Sequence, residues 1–190
     1  MLKRVVSAVF CLLALLSACE PNGTESMEPV LTEGTDISLG NGQTNPGNPA
    51  VMDASAVAAL AEVNALRQKG CKCGDEPMPP TSRVAWNAKL YDAALAHAKD
   101  MHIHNYFSHT SPSGENVYHR LVASGYISDA IGVLTYGENI AFGNFDLAAA
   151  VQKWLASPSH CANMMRGSYR EMAIAHDGNY WVQVFGATRE

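Results

Sequence analysis

Thiol and imidazole groups crowd three short stretches of this chain: Cys71-Lys72-Cys73, the set His97, His102 and His104, and His160-Cys161. These side chains act as nucleophiles, acid–base groups and metal ligands. Cys71 and Cys73 are too close to pair comfortably with each other, so a disulfide would join Cys161 to one of them. The rival arrangement is a zinc set of Cys71, Cys73, Cys161 and His160, which requires the thiols to stay reduced. His97 and His104 share one helical face, but Ala98 and Lys99 follow His97, so the H-E-x-x-H zinc helix is absent. A place at the edge of a core or on a cleft wall suits these histidines better than metal ligation. His119 and His176 read as surface or loop residues. No G-x-S-x-G stretch occurs, so a hydrolase nucleophile elbow has no support.

Positioning those groups falls to helices followed by a hairpin. Asp53 or Ser55 can cap a helix with Val57, Leu60, Val63 and Leu66 on one side, ending at Gly70. Asn87 can cap a second, with Leu90, Ala94, His97, Met101 and His104 near one face. A third, short helix over 117–123 stops at Gly125. Asp146 caps a fourth, in which Val151, Trp154 and Leu155 turn inward. Residues 172–175 and 180–185 read as strands about the turn Asp177-Gly178-Asn179. Helices first and a hairpin last define an α+β class in two or three layers. Trp86, Trp154, Trp181, Tyr106 and Phe107 are expected in the core and the cleft wall.

The amino-terminal stretch is a different material. Lys3 and Arg4 precede an apolar run over 5–16, shorter than the roughly 18–20 residues of a spanning helix and suited to a signal sequence. The run ends in Leu16-Ser17-Ala18-Cys19, which resembles the lipobox of bacterial lipoprotein precursors. Small residues at 17 and 18 let a peptidase reach the backbone, and Cys19 supplies the thiol for acylation. That resemblance implies export, a cut before Cys19 and anchoring to the cell envelope by lipid. Each buried acyl methylene would contribute about 0.8 kcal/mol. Residues 1–18 are then the signal peptide, which takes Cys11 with it, and 19–52 an acylated cysteine plus linker. The linker is rich in Asn, Gly, Thr, Pro and acids and cannot bury enough apolar surface to offset its ordering entropy, so a disordered tether is expected. Gly40-Asn41-Gly42 lacks the strand and helix that frame a phosphate loop. Without Lys3 and Arg4, the 13 basic side chains fall to 11 against 18 acidic ones, a formal charge of −7. With no basic cluster, a nucleic-acid partner is excluded. Residues 53–190 remain for one core.

Four segments then line up along that core. Glu62-Val63-Asn64-Ala65-Leu66-Arg67 sits on the first helix, and Tyr106-Phe107-Ser108-His109-Thr110-Ser111-Pro112 follows the second. Gly137-Glu138-Asn139-Ile140-Ala141 comes after the third, and Trp154-Leu155-Ala156-Ser157-Pro158-Ser159-His160-Cys161-Ala162-Asn163 closes the fourth. With Asp100-Met101 and Val184-Phe185-Gly186, their order and spacing resemble the bacterial branch of the CAP superfamily, the SCP-like extracellular proteins. The resemblance covers about residues 54–190 and implies a three-layer α-β-α sandwich with a small antiparallel sheet. It also implies a cleft where two histidines and acidic residues converge. Carried over by motif, His109 is the histidine of F-S-H, Glu138 the acid of G-E-N, and His160 the histidine of S-P-x-H. The position of the family's usual second acid holds Ser157 here; Glu115 is an acid nearby in sequence, with no motif behind it. Relatives of this branch commonly carry Cys-Gly and His-Cys at the matching points, which implies a Cys73–Cys161 disulfide. Closing a loop of about 90 residues would stabilise the fold by on the order of 4–5 kcal/mol, with Cys71 left over.

Two imidazoles and a carboxylate match a zinc shell with one place left for water, a set able to hydrolyse bonds. Without metal the same groups suit acid–base catalysis, or form a polar cleft that only positions loops. The family has been linked to ligand binding, metal binding and proteolysis, without one shared reaction. The expectation is therefore an envelope module whose cleft holds a small apolar ligand, an envelope component or a metal such as Zn. The alternative is a metal-assisted, peptidase-like hydrolase with His109, Glu138 and His160 as its catalytic groups.

Overall fold

Asp53 starts the first helix, α1 (Ala54–Lys69), by accepting a hydrogen bond from Ala56 N at 2.7 Å. A computed structural model describes residues 52–128 and 130–189. The expected signal peptide, Cys19 and the linker up to residue 51 lie outside the described residues. After α1 come the antiparallel hairpin β1 (Cys71–Cys73) and β2 (Glu76–Met78), and then β3 (Ala85–Trp86). Asn87 caps α2 (Ala88–His104), and Asn116 caps α3 (Val117–Ala123) in a reciprocal box with the His119 side chain. The remaining elements are β4 (Val133–Phe142), α4 (Leu147–Ala156) with its Asp146 cap, α5 (Pro158–Met164), β5 (Glu171–Asp177) and β6 (Tyr180–Thr188). Among the described residues, no helix is long and apolar enough to cross a membrane.

The main sheet runs in the order β3-β5-β6-β4. Its three long strands are antiparallel, as expected; the two-residue β3 joins one edge in parallel with β5. Alternation along β5 and β6 divides the core. Ala173, Ala175, Val182 and Val184 pack with Leu90, Ala94 and Met101 of α2 and Leu121 of α3. Met172, Ile174, Trp181 and Phe185 pack with Val63 of α1, Val151 and Trp154 of α4 and Met164 of α5. A sheet covered on both faces explains why β5 and β6 read as nearly continuous apolar runs. The molecule is the α-β-α sandwich that the motifs implied.

Two expectations need correction. Val57 is 52% exposed, and the buried side of α1 runs through Ala56, Ala59, Val63, Asn64 and Arg67. The polar members hold their places by hydrogen bonding. Asn64 pairs with both Val84 N and Val84 O, and Arg67 donates to the carbonyls of Ser82, Met164 and Arg166. His104 does not continue the inward face of α2. Asn105 ends the helix in the left-handed conformation, and the exposed His104 ring turns back to Asp100.

Candidate functional site

β4 carries Glu138 into a nearly closed space, its side chain 3% exposed, with both carboxylate oxygens engaged. Oε1 accepts from His109 Nδ1 at 2.8 Å and Oε2 from Arg120 Nη2 at 2.8 Å. The bond to the carboxylate fixes the His109 proton on Nδ1 and leaves Nε2 as the outward atom of a ring that is 55% exposed. Arg120 also reaches His109 O at 3.1 Å and Glu115 O at 3.2 Å, so one guanidinium ties the loop before α3 to β4. Beneath them, the fully buried His97 donates from Nε2 to Ser108 O at 3.0 Å, with the same nitrogen 3.8 Å from Glu138 Oε1.

Electrostatics follows from this packing. Burial pushes the Glu138 carboxyl up, but the His109 hydrogen bond, the Arg120 charge and His97 together outweigh it and hold it below the usual carboxylate range. Burial drives His97 below the usual imidazole range, and the attraction of Glu138 offsets this only in part. Glu138 is therefore ionised and His97 neutral near pH 7.

His160 arrives from the other side of the strand. Asn139, the residue after Glu138, donates from Nδ2 to His160 O at 3.2 Å and to Gln183 Oε1 at 2.9 Å. Asn163 of α5 donates to Glu138 O at 3.2 Å and Asn139 Oδ1 at 2.9 Å, and the Tyr169 hydroxyl bonds Asn163 Oδ1 and Tyr136 O. This buried network hangs α5 on β4. Burial, and then the charge of His109, hold the His160 ring below the usual imidazole range. The structure thus puts His109 and Glu138 in direct contact and places His160 one residue along, through its backbone.

The cysteines add a second brace. Cys73 and Cys161 form a disulfide with Cα atoms 5.4 Å apart, joining the β1–β2 hairpin to the helix that bears His160. Among the described residues, the Cys, His, Asp and Glu groups whose ligand atoms lie mutually within 4.8 Å are Cys71, Cys73 and Cys161. With two of those sulfurs bonded to each other, the four-ligand zinc set with His160 is not formed. Glu115 lines a cavity of about 450 Å³ between α2 and α3, with Asp92, Asp100, His119 and Arg120. Ser157 stands at the α4–α5 junction, its hydroxyl 3.4 Å from that of Ser159. His102 pairs with Asp177 at 2.6 Å, and His176 stacks on Trp181. Trp154 and Trp181 are core residues, and Phe107, 52% exposed, packs on Phe142. The sequence alone did not single out Arg120; its one local signal is a charged residue beside Leu121 on a short helix with an inward side.

A small antiparallel sheet covered by helices on both faces is the SCP-like class of sandwich. The chain belongs to the CAP, or cysteine-rich secretory protein, family, whose model matches residues 60–185. It is 31% identical over 104 residues to the Bacillus subtilis uncharacterized membrane protein YlbC, covering 55% of this chain and 29% of YlbC. It is 26% identical over 170 residues to YkwD of Bacillus subtilis, covering 88% of this chain and 58% of YkwD. The chain therefore spans less than two thirds of either relative. An extracellular protein containing a SCP domain from Bacillus anthracis superposes with a TM-score of 0.58 at 27% identity, covering 70% of this chain and 40% of that one. An outer surface protein of Borrelia burgdorferi shares the fold, with a TM-score of 0.56 at 19% identity, covering 70% of this chain and 92% of that one.

Proposed function

We propose that this protein is an exported binding module, anchored by lipid at Cys19, whose cleft takes a metal ion or a small ligand at His109 and His160. The observation that carries this reading is the enclosure of Glu138: its side chain is 3% exposed and both of its oxygens are engaged, by His109 and by Arg120. A carboxylate so occupied is poorly placed to activate water, as the peptidase-like alternative demands. It is well placed to hold His109 with Nε2 outward, the role carboxylates play behind metal-bound histidines. Glu138 is then an orienting group, and the ring nitrogens of the exposed His109 and the half-buried His160 are the ligands. A zinc ion bound there would supply Lewis acidity.

Apolar walls flank the same stretch of β4. Tyr118 lies 6.2 Å from Tyr136, and Phe107 lies 6.2 Å from Phe142, ring centre to ring centre. They favour a small apolar ligand or an envelope component as the second kind of occupant. Export draws support from the Leu16-Ser17-Ala18-Cys19 stretch and from the extracellular Bacillus anthracis relative.

Calorimetric titration of the purified chain with Zn²⁺ tests the metal reading. Stoichiometric binding that disappears in His109→Ala/His160→Ala is expected, and absence of uptake by the intact chain removes the metal from the proposal. Mass spectrometry of the protein extracted from its host should find an acylated cysteine at position 19 as the first residue. A chain that retains residues 1–18, or starts unmodified, overturns the anchor.

A further inference from the structure

The first hairpin offers two cysteines to one partner. Cys73 and Cys161 are bonded and sealed, at 3% and 0% exposure, whereas Cys71 is half-buried. Cys71 Sγ stands 3.8 Å from Cys161 Sγ and 3.9 Å from Cys73 Sγ. Three sulfurs in mutual contact are more than a disulfide needs, and the cleft chemistry uses none of them.

We infer that these residues form a thiol–disulfide exchange site, in which Cys161 alternates between Cys73 and Cys71. The Cys71 thiolate attacks Cys161 Sγ; the Cys71–Cys161 bond forms, the Cys73–Cys161 bond breaks, and Cys73 leaves as a thiolate. Cys71 gives its proton to solvent and Cys73 takes one up, so the step is an isomerisation that consumes no oxidant or reductant. The near-equal distances put Cys71 beside the S–S bond, so the Cys161 side chain must turn before the sulfurs line up.

The consequence is access. The bond seen in the structure is shielded from solvent, and exchange moves it onto the half-buried Cys71, where an external low-molecular-weight thiol can attack. That attack forms a mixed disulfide at Cys71 and releases Cys161 as a thiolate. The substrate class is therefore a small thiol, and the element released is α5, which carries His160.

The intact, unreduced chain can be held at neutral pH, blocked with N-ethylmaleimide and cut with trypsin. Cleavage after Lys72 places Cys71 and Cys73 on separate peptides. Label on both residues, with Cys161 linked to each in part, is the expected result; label on Cys71 alone overturns the proposal. Cys73→Ser should yield a Cys71–Cys161 bond with neither residue labelled, whereas label on both Cys71 and Cys161 overturns it. Under native conditions the unsubstituted chain should incorporate glutathione and Cys71→Ser should not. Equal incorporation by both sinks the exchange route.

Discussion

Arg120 and Glu138 form an ion pair at 2.8 Å in which both side chains are more than nine-tenths buried, at 7% and 3% exposure. It joins α3 to β4 and leaves the second carboxylate oxygen for His109. In such a place the cost of leaving one partner alone exceeds what the pair itself contributes. Arg120→Met should lower unfolding stability by about 3–5 kcal/mol in urea titrations at neutral pH. Arg120→Met/Glu138→Gln should lose less than the sum of the single changes, and strict additivity would show that the two groups do not depend on each other.

Glu138→Gln separates an orienting carboxylate from a ligand. An amide can still accept from His109 Nδ1 but carries no charge. Zinc affinity should fall about 10–100-fold, in the range for lost outer-shell partners, and the stoichiometry should persist. A complete loss, matching that of the double histidine variant, would make Glu138 a ligand.

Acid should weaken the fold through His97. Its folded pKa lies below the ordinary value, so between the two the unfolded chain binds more protons. The contribution is present above about pH 6.5 and is lost as pH falls below that value toward the folded pKa. His160 shifts in the same direction and adds to the slope. Thermal unfolding followed from about pH 7.5 to about pH 5 should show a shallower decline in His97→Gln. An unchanged slope would mean that His97 is not the titrating group.

Gly137 is required by close approach. A Cβ there would sit 2.0 Å from the Tyr169 hydroxyl and 2.8 Å from Asn163 Oδ1. Gly137→Ala should cost about 1–3 kcal/mol in urea unfolding, in the range for overpacked sites. Adding Tyr169→Phe, which deletes the nearest clashing atom, should recover part of that loss.

Local signals disclosed most of the scaffold. Asp53, Asn87 and Asp146 are capping residues followed by helical periodicity, and the last two strands flank a glycine turn. β4 escaped because its centre, Gly137-Glu138-Asn139, is polar; those residues are tolerated only through partners from α3 and α5. α5 is seven residues long and starts at Pro158 directly after α4, too short for periodicity to register. The phase of α1 differs from its apolar pattern for a related reason, since Asn64 and Arg67 are surface types that the fold buries on backbone partners. At the site, His109, Glu138 and His160 carried motif signals. Arg120 and His97 acquire their roles only once the fold brings Glu138 beside them.

β4 is the outermost strand on its side of the sheet, paired with β6 alone. The bond from Gly143 N to Asn179 O directs odd-numbered residues toward β6, so Tyr136 and Glu138 aim their backbone groups outward. There the Tyr169 hydroxyl and the Asn163 amide occupy both carbonyls. Along Tyr136 and Glu138 the rim gives a neighbouring molecule no free carbonyl from which to extend the ladder. Copies crowded together would find that central stretch of the margin already engaged.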